Sequence, residues 1–295
     1  MHVTRLLTPI SCVAFVVCAA PAQAVTPAAA VQELINADRQ FSKDGEGKNI
    51  VDAIAAMLDS DAMAPTPSGT FAKGKEAIVE VLKSNPSNAN ATAAWAPVRG
   101  GISADGLQGF TYGFMTIHIP DQPDRRAKYL SYWTKRSEGW RVIGYKRIGS
   151  PPGEVSTALR PPAVPAHMLP QRPSPQLVDK YRDSLAAREK AFSDRAQQVG
   201  LPQAFVEFGS GDAMNSGGGG SPDFVYGNDA IGAIQPTEIP SIYVWGPDER
   251  VVVSSTGDLG ITFGYIRGTQ QVLTIPFFTV WRRDKQNGEW KYVAE

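Results

Sequence analysis

Asp61 and Asp212 each open an Asp-Ala-Met triplet, and the two triplets lie 151 residues apart. Recurrence in the same setting makes them the tempting acids for proton transfer. An aspartate beside a helix end also binds backbone amides, so capping at the turn into a sheet is the expected role. Asp258, in Ser255-Thr256-Gly257-Asp258-Leu259-Gly260, is the sharper catalytic candidate, because Leu107 fills the matching place in the first half. Aspartate after glycine is equally a common turn residue.

Other chemistries find little support. Beyond the leader the histidines are His118 and His167, far apart and without a cluster of Asp or Glu at ligand spacing, so no metal site is expected. No G-x-S-x-G elbow marks a serine nucleophile. Gly217-Gly218-Gly219-Gly220 lacks the Gly-Lys-Ser/Thr continuation of a phosphate loop and reads as a flexible segment replacing Pro65-Thr66-Pro67-Ser68-Gly69. The aromatics say more. Phe110, Tyr112 and Phe114 alternate with Thr111, Gly113 and Met115, and Tyr129, Ser131 and Trp133 oppose Leu130, Tyr132 and Thr134. Packing against helices is the simplest use for such faces. Lining a pocket for an apolar or ring-containing ligand is the functional one, with Tyr112, Tyr132, Trp133, Phe263, Tyr265 and Trp281 as candidates.

The elements that must position these residues occur twice. Phe41-Ser42 returns as Phe192-Ser193, Trp95-Ala96-Pro97 as Trp245-Gly246-Pro247, and Gly109-Phe110-Thr111-Tyr112-Gly113-Phe114 as Gly260-Ile261-Thr262-Phe263-Gly264-Tyr265. Gly74-Lys75-Glu76-Ala77-Ile78 answers Gly227-Asn228-Asp229-Ala230-Ile231, and all six tryptophans pair off. Near-constant spacing in constant order is a tandem duplication. Residues 150–176 between the copies carry eight prolines, too many for a regular element, and read as an extended spacer.

Within a copy the period changes. Val31, Leu34, Ile35 and Phe41 share a helical face, as do Ile50, Ile54, Met57 and Leu58 beyond Gly45 and Gly47; a third helix is expected around Glu76–Lys83. Strand-like stretches follow at Phe110–Ile119, Tyr129–Lys135 and Trp140–Ile148. The second copy repeats the scheme from Val178, Tyr181, Leu185 and Phe192 to strands near Val251–Ser254, Gly260–Arg267, Val272–Arg283 and Glu289–Ala294. Helices first and a strand meander afterwards indicates α+β.

The bulk composition narrows the partners. Among 295 residues, 29 are Lys or Arg and 29 Asp or Glu, so no basic excess suggests a nucleic-acid partner. Arg5, an apolar run from Cys12 to Ala20 and the close Ala22-Gln23-Ala24 form a secretory signal peptide, with cleavage expected after Ala24. Cleavage removes Cys12 and Cys18, leaving no thiol for a disulfide, metal or nucleophile. The run is shorter than the roughly 20 apolar residues of a membrane span.

With these motifs in view, each copy resembles the nuclear transport factor 2-like superfamily, and within it the SnoaL-like and ketosteroid-isomerase-like branch. The resemblance implies two cones, residues 30–149 and 178–295, each with helices packed on a curved antiparallel sheet and a pocket inside. It also implies that the sheets pair as an internal pseudo-dimer, so the chain is expected to be a monomer. The isomerases that it resembles carry their carboxylate base four residues after the Ala of the Asp-Ala motif, where this chain has Thr66 and Gly217. The first helix of copy one has no Tyr for their oxyanion donor. The expectation is therefore a periplasmic or secreted protein that binds a small molecule in one or both cones, without the isomerase base, a cofactor, a metal, nucleic acid or a membrane. Its rivals are a cofactor-independent isomerase, cyclase, dehydratase or hydrolase acting through Asp258, and a protein-interaction module with vestigial pockets.

Overall fold

The computed structural model describes residues 25–171, 174–284 and 288–295. The leader, residues 1–24, lies outside them. In the first copy α1 (Pro27–Asp44) starts where Thr26 accepts the Ala29 N–H and Pro27 supplies a preset φ. Its inward face carries Val31, Leu34, Ile35 and, unexpectedly, Asp38 and Ser42. Next come α2 (Ile50–Met57), β1 (Leu58–Pro65), β2 (Phe71–Lys73) and α3 (Lys75–Ser84), then four long strands: β3 (Thr92–Ile102), β4 (Gln108–His118), β5 (Arg125–Arg136) and β6 (Gly139–Ser150).

The second copy repeats this order with α4 (Pro175–Val199), α5 (Leu201–Phe208), β7 (Gly209–Asn215), β8 (Val225–Tyr226) and α6 (Asn228–Ala233). Strands β9 (Tyr243–Val253), β10 (Leu259–Gly268), β11 (Thr274–Arg282) and β12 (Lys291–Ala294) complete it. The sheets run β2-β1-β6-β5-β4-β3 and β8-β7-β12-β11-β10-β9. Both are antiparallel except where β1 meets β6 and β7 meets β12, which are parallel, so each sheet is mixed. Sequence periodicity extended the second helix to Leu58; the chain instead turns extended there and enters the sheet beside β6. This is an α+β architecture of two cones.

Each sheet buries both faces. Leu34, Ile54, Trp133 and Val142 pack one face of the first sheet on its helices, and Leu185, Phe205, Trp281 and Tyr292 do so in the second. The opposite faces meet in a third core, where Phe110, Tyr112, Leu130 and Tyr132 join Ile261, Phe263, Phe278 and Val280. The strand alternation read from the sequence is thus present, and its even-numbered aromatic face is the one that meets the other sheet.

Polar contacts at this junction are reciprocal. Arg99 on β3 grips the Asp212 carboxylate and carbonyl, while Arg250 on β9 grips the Asp61 carboxylate at 2.7 Å and its carbonyl at 2.8 Å. Each arginine and each aspartate lies 151 residues from its counterpart. At the turns, Ser255 N–H donates to Asp105 and Ala104 N–H donates to Asp258. Such exchange is the hallmark of an isologous, two-fold contact, here built within one chain. It corrects the capping role expected for Asp61 and Asp212: both sit in strands, and arginines of the opposite copy neutralise them.

The proline-rich segment is more than a spacer. Ala163 is buried and pairs with Gly101, with bonds Ala163 N to Gly100 O and Ile102 N to Ala163 O, so the segment covers the β3 edge.

Candidate functional site

The repeated motifs turn out to pin helix to sheet. Ser42, after Phe41, accepts the Trp95 N–H at 2.8 Å, and Ser193, after Phe192, accepts that of Trp245 at 2.9 Å. Both tryptophans precede a register slip in their strand. There a Cβ on Gly113 or Gly264 would stand 2.1 or 1.8 Å from the facing carbonyl, which explains the Gly in each strand motif.

A carboxylate lies on the helical face beside each pin. Glu189 follows Leu185 by four residues and precedes Phe192 by three, which places it among the apolar groups of α4. It is fully buried. Its Oε1 accepts the Trp245 indole N–H at 2.8 Å, and its Oε2 accepts Thr262 Oγ1 at 2.5 Å and the Trp281 indole at 2.9 Å. Burial outweighs these donors and pushes the Glu189 carboxyl up to about 7. Asp38 is its counterpart in the first cone, taking the Trp95 indole and the Tyr129 hydroxyl at 2.8 Å each, and burial raises it as well.

The surroundings of these two carboxylates differ. Above Glu189 lies a cavity of about 330 Å³ walled by Phe192, Phe205, Tyr243, Trp245, Ile266 and Phe277, with Asn215, Gln235, Thr279 and Glu295 as its polar groups. In the first cone Met115 faces Trp95 where Ile266 faces Trp245, and Tyr129 faces Gly113 where Phe277 faces Gly264. Tyr145 stands where the register puts Glu295. Met115, Tyr129 and Tyr145 are all buried, and the cavity at that cone's mouth, about 340 Å³ beside Thr66, Leu82, Tyr145 and Arg147, is not lined by Asp38.

The Gly217–Gly220 segment, expected to be flexible, is held. Lys128 on β5 is buried and donates to the carbonyls of Ser216, Gly218, Ser221 and Asp223 at 2.6, 3.1, 2.6 and 3.2 Å. Gly217 and Gly218 line the second cone's cavity, so a lysine of the first copy fixes the lip of the second.

Of the residues singled out from sequence, Tyr112, Tyr132 and Phe263 lie in the core between the sheets, and Tyr265 sits at its edge, 5.5 Å from the Phe71 ring. Trp133 and Trp281 face their own helices. None of the six lines either cone cavity, although Trp281 donates to the carboxylate that does. Asp258 is engaged at both oxygens: Oδ1 accepts Ser254 and Thr256 hydroxyls at 2.9 and 2.5 Å, and Oδ2 accepts Ala104 N–H at 2.8 Å. It borders a separate cavity of about 380 Å³ beneath the proline-rich segment, with His167, Arg282 and Arg283. Burial raises its pKa. Glu189 was the residue that sequence reading passed over. Its signal was there: an acid at one 151-residue spacing from another, each on an apolar helical face. Among the described residues no group of three or more His, Cys, Asp or Glu is disposed to hold a metal ion.

The chain is similar to several solved structures, each matched over about two-fifths of its length. A domain of unknown function with a cystatin-like fold from Nostoc punctiforme is 19% identical over 38% of this chain and 74% of that one, with a TM-score of 0.32. A nuclear transport factor 2-like protein with a cystatin-like fold from Novosphingobium aromaticivorans is 12% identical over 39% and 79%, at 0.30. A ketosteroid isomerase-like protein from Erwinia carotovora atroseptica is 16% identical over 43% and 95%, at 0.28. No family model matches the chain, and no curated protein does.

Proposed function

We propose that this protein binds a small, largely apolar molecule in its second cone, the first cone and the linker serving as scaffold. The cavity of about 330 Å³ above Glu189 carries the reading, since it combines aromatic walls with a few convergent polar groups. A neutral aromatic alcohol such as phenylpropanol fits that description and is the probe of choice. Titration calorimetry with millimolar phenylpropanol is expected to give saturable binding at one molecule per chain and a raised melting temperature. Absence of both effects would remove the reading.

Glu189 also supports a catalytic variant of this reading. A carboxyl poised near neutrality is suited to proton transfer, and a cofactor-independent isomerase or lyase would use it in preference to Asp258, because Glu189 lines the cone cavity and Asp258 does not. Loss of turnover in Glu189→Gln, with ligand binding kept, distinguishes the variant from simple binding.

Export and monomeric assembly complete the proposal. The leader motif supports secretion, and an amino terminus at Val25 in protein recovered from its source would agree with it. Mutual burial of the two sheet faces supports a monomer, which light scattering checks.

A further inference from the structure

The second cone's cavity has charge of one sign only. Glu189 and Glu295 line it, and among the described residues no lysine, arginine or histidine does. Among the described residues Glu189 Oε1 accepts a single hydrogen bond, which leaves acceptor capacity. Among the described residues Glu295 Oε2 is buried with no hydrogen-bond partner. Burial raises the pKa of both carboxyls, and the charge of Glu295 adds to the rise at Glu189.

The groups packed around Glu189 do not neutralise its charge, and among the described residues Glu295 has a single opposing cation, Lys146. Among the described residues Glu189 meets only neutral donors, from Trp245 on β9, Thr262 on β10 and Trp281 on β11. Glu295 meets Asn215 on β7 and feels Lys146 on β6 of the first copy. That ammonium stands 5.0 Å from the Phe278 ring, and burial lowers its pKa to about 8 while the charge of Glu295 opposes the drop. The remaining wall is aromatic, including Phe192, Phe205, Trp245 and Phe277. Ring faces attract a cation and tolerate an apolar body, while an anion would meet two carboxylates in a dry site.

We infer that the second cone selects a cationic ligand, a protonated amine on a compact apolar or aromatic body, whose ammonium lies between Glu189 and Glu295. The inference rests on the binding reading above and narrows its ligand class. It requires no chemical step: the amine enters protonated, and the carboxylates accept its N–H donors.

Calorimetry with three isosteric probes tests it: phenylpropylamine, phenylpropanol and phenylpropionate, at about pH 8, where the amine is charged. The amine is expected to bind tighter than the alcohol by roughly tenfold or more, with the carboxylate weakest. Lowering the pH to about 5 should shrink the amine's advantage as the carboxyls protonate, and leave the alcohol unchanged. Glu295→Gln should shrink it in the same way at the higher pH. Glu189→Gln is expected to do so too; should that variant fail to fold, Glu295→Gln decides alone. An alcohol that binds as tightly as the amine, or a carboxylate that binds best, overturns the cationic inference and leaves the binding reading standing. If none of the three binds, both fall.

Discussion

The two cones place a carboxyl at the same point of the first helix and then treat it in opposite ways. Around Asp38 the first cone closes: Tyr129 donates to the carboxylate, and Met115 and Tyr145 are buried beside it. Around Glu189 the second cone opens, because Phe277 has no hydroxyl to give and Ile266 and Glu295 replace Met115 and Tyr145. The longer glutamate then reaches the Trp281 indole, whereas Trp133 must turn to Thr111 Oγ1 at 2.8 Å. A buried carboxylate holding tryptophans is therefore part of the fold in both copies. Access to it separates the copies. Three side chains at matching register positions account for that difference, and the first copy repays its closure by supplying Lys128 to the second copy's lip.

The largest expected effect comes from erasing the difference. Ile266→Met, Phe277→Tyr and Glu295→Tyr together give the second cone the first cone's filling. Phenylpropanol affinity should drop by on the order of 100-fold or more, equivalent to about 3 kcal/mol, with a cooperative melt retained. A variant that keeps its affinity would show that these positions do not control access.

Protonation at Glu189 gives a second comparison. Its folded pKa, about 7, lies above the ordinary carboxylate value, so the folded chain holds the extra proton. The stability tied to it is fully present below about pH 4.5 and is lost as pH rises to about 7, by roughly 3 kcal/mol. Denaturant melts of the wild type and Glu189→Gln, compared across that window, should converge or cross accordingly. Parallel curves would contradict the burial assigned to Glu189.

The reciprocal ion pairs offer a third test, since burial makes them unequal. The Arg99 side chain is 5% exposed and that of Arg250 is 28% exposed. Removing Arg99 orphans carbonyls of Pro161 and Asp212 as well as a carboxylate, so Arg99→Ala should cost about 3 kcal/mol. Arg250→Ala should cost about 1 kcal/mol or less. Equal losses in urea melts would mean that the two-fold contact is energetically symmetric. Asp258→Asn should likewise cost about 1 kcal/mol of stability from its turn, with phenylpropanol binding unchanged. A loss of binding there would move the site to the cavity beneath the proline-rich segment.

Much of this architecture was legible in the sequence, and the reason is the duplication. Recurring Phe-Ser and Trp-x-Pro marked the two copies, but that they meet, Ser42 with Trp95 and Ser193 with Trp245, emerged only in the fold. Alternation along β4 and β5 separated two aromatic faces, but period alone does not say which face meets the helices. Packing decided it: Tyr112, Tyr132 and Phe263 went to the sheet junction, and Trp133 and Trp281 to the cones. The β1 strand escaped notice because Met57 and Leu58 continue the apolar spacing of α2 across the helix end. Asp61 and Asp212 were recognised as a matched pair, yet their partners, Arg99 and Arg250, are distant in sequence and visible only once the sheets meet. Glu189 was hidden by its type, since an acid on a helix is ordinarily read as surface.

One cone is open and the other filled, and a crystal structure of the chain soaked with phenylpropanol tests this difference most directly. One molecule per chain is expected, lodged against Trp245 and Phe277 with its hydroxyl toward Glu189 or Glu295, and the space beside Asp38 filled by Tyr129. Ligand density beside Asp38, or in both cones alike, would contradict it.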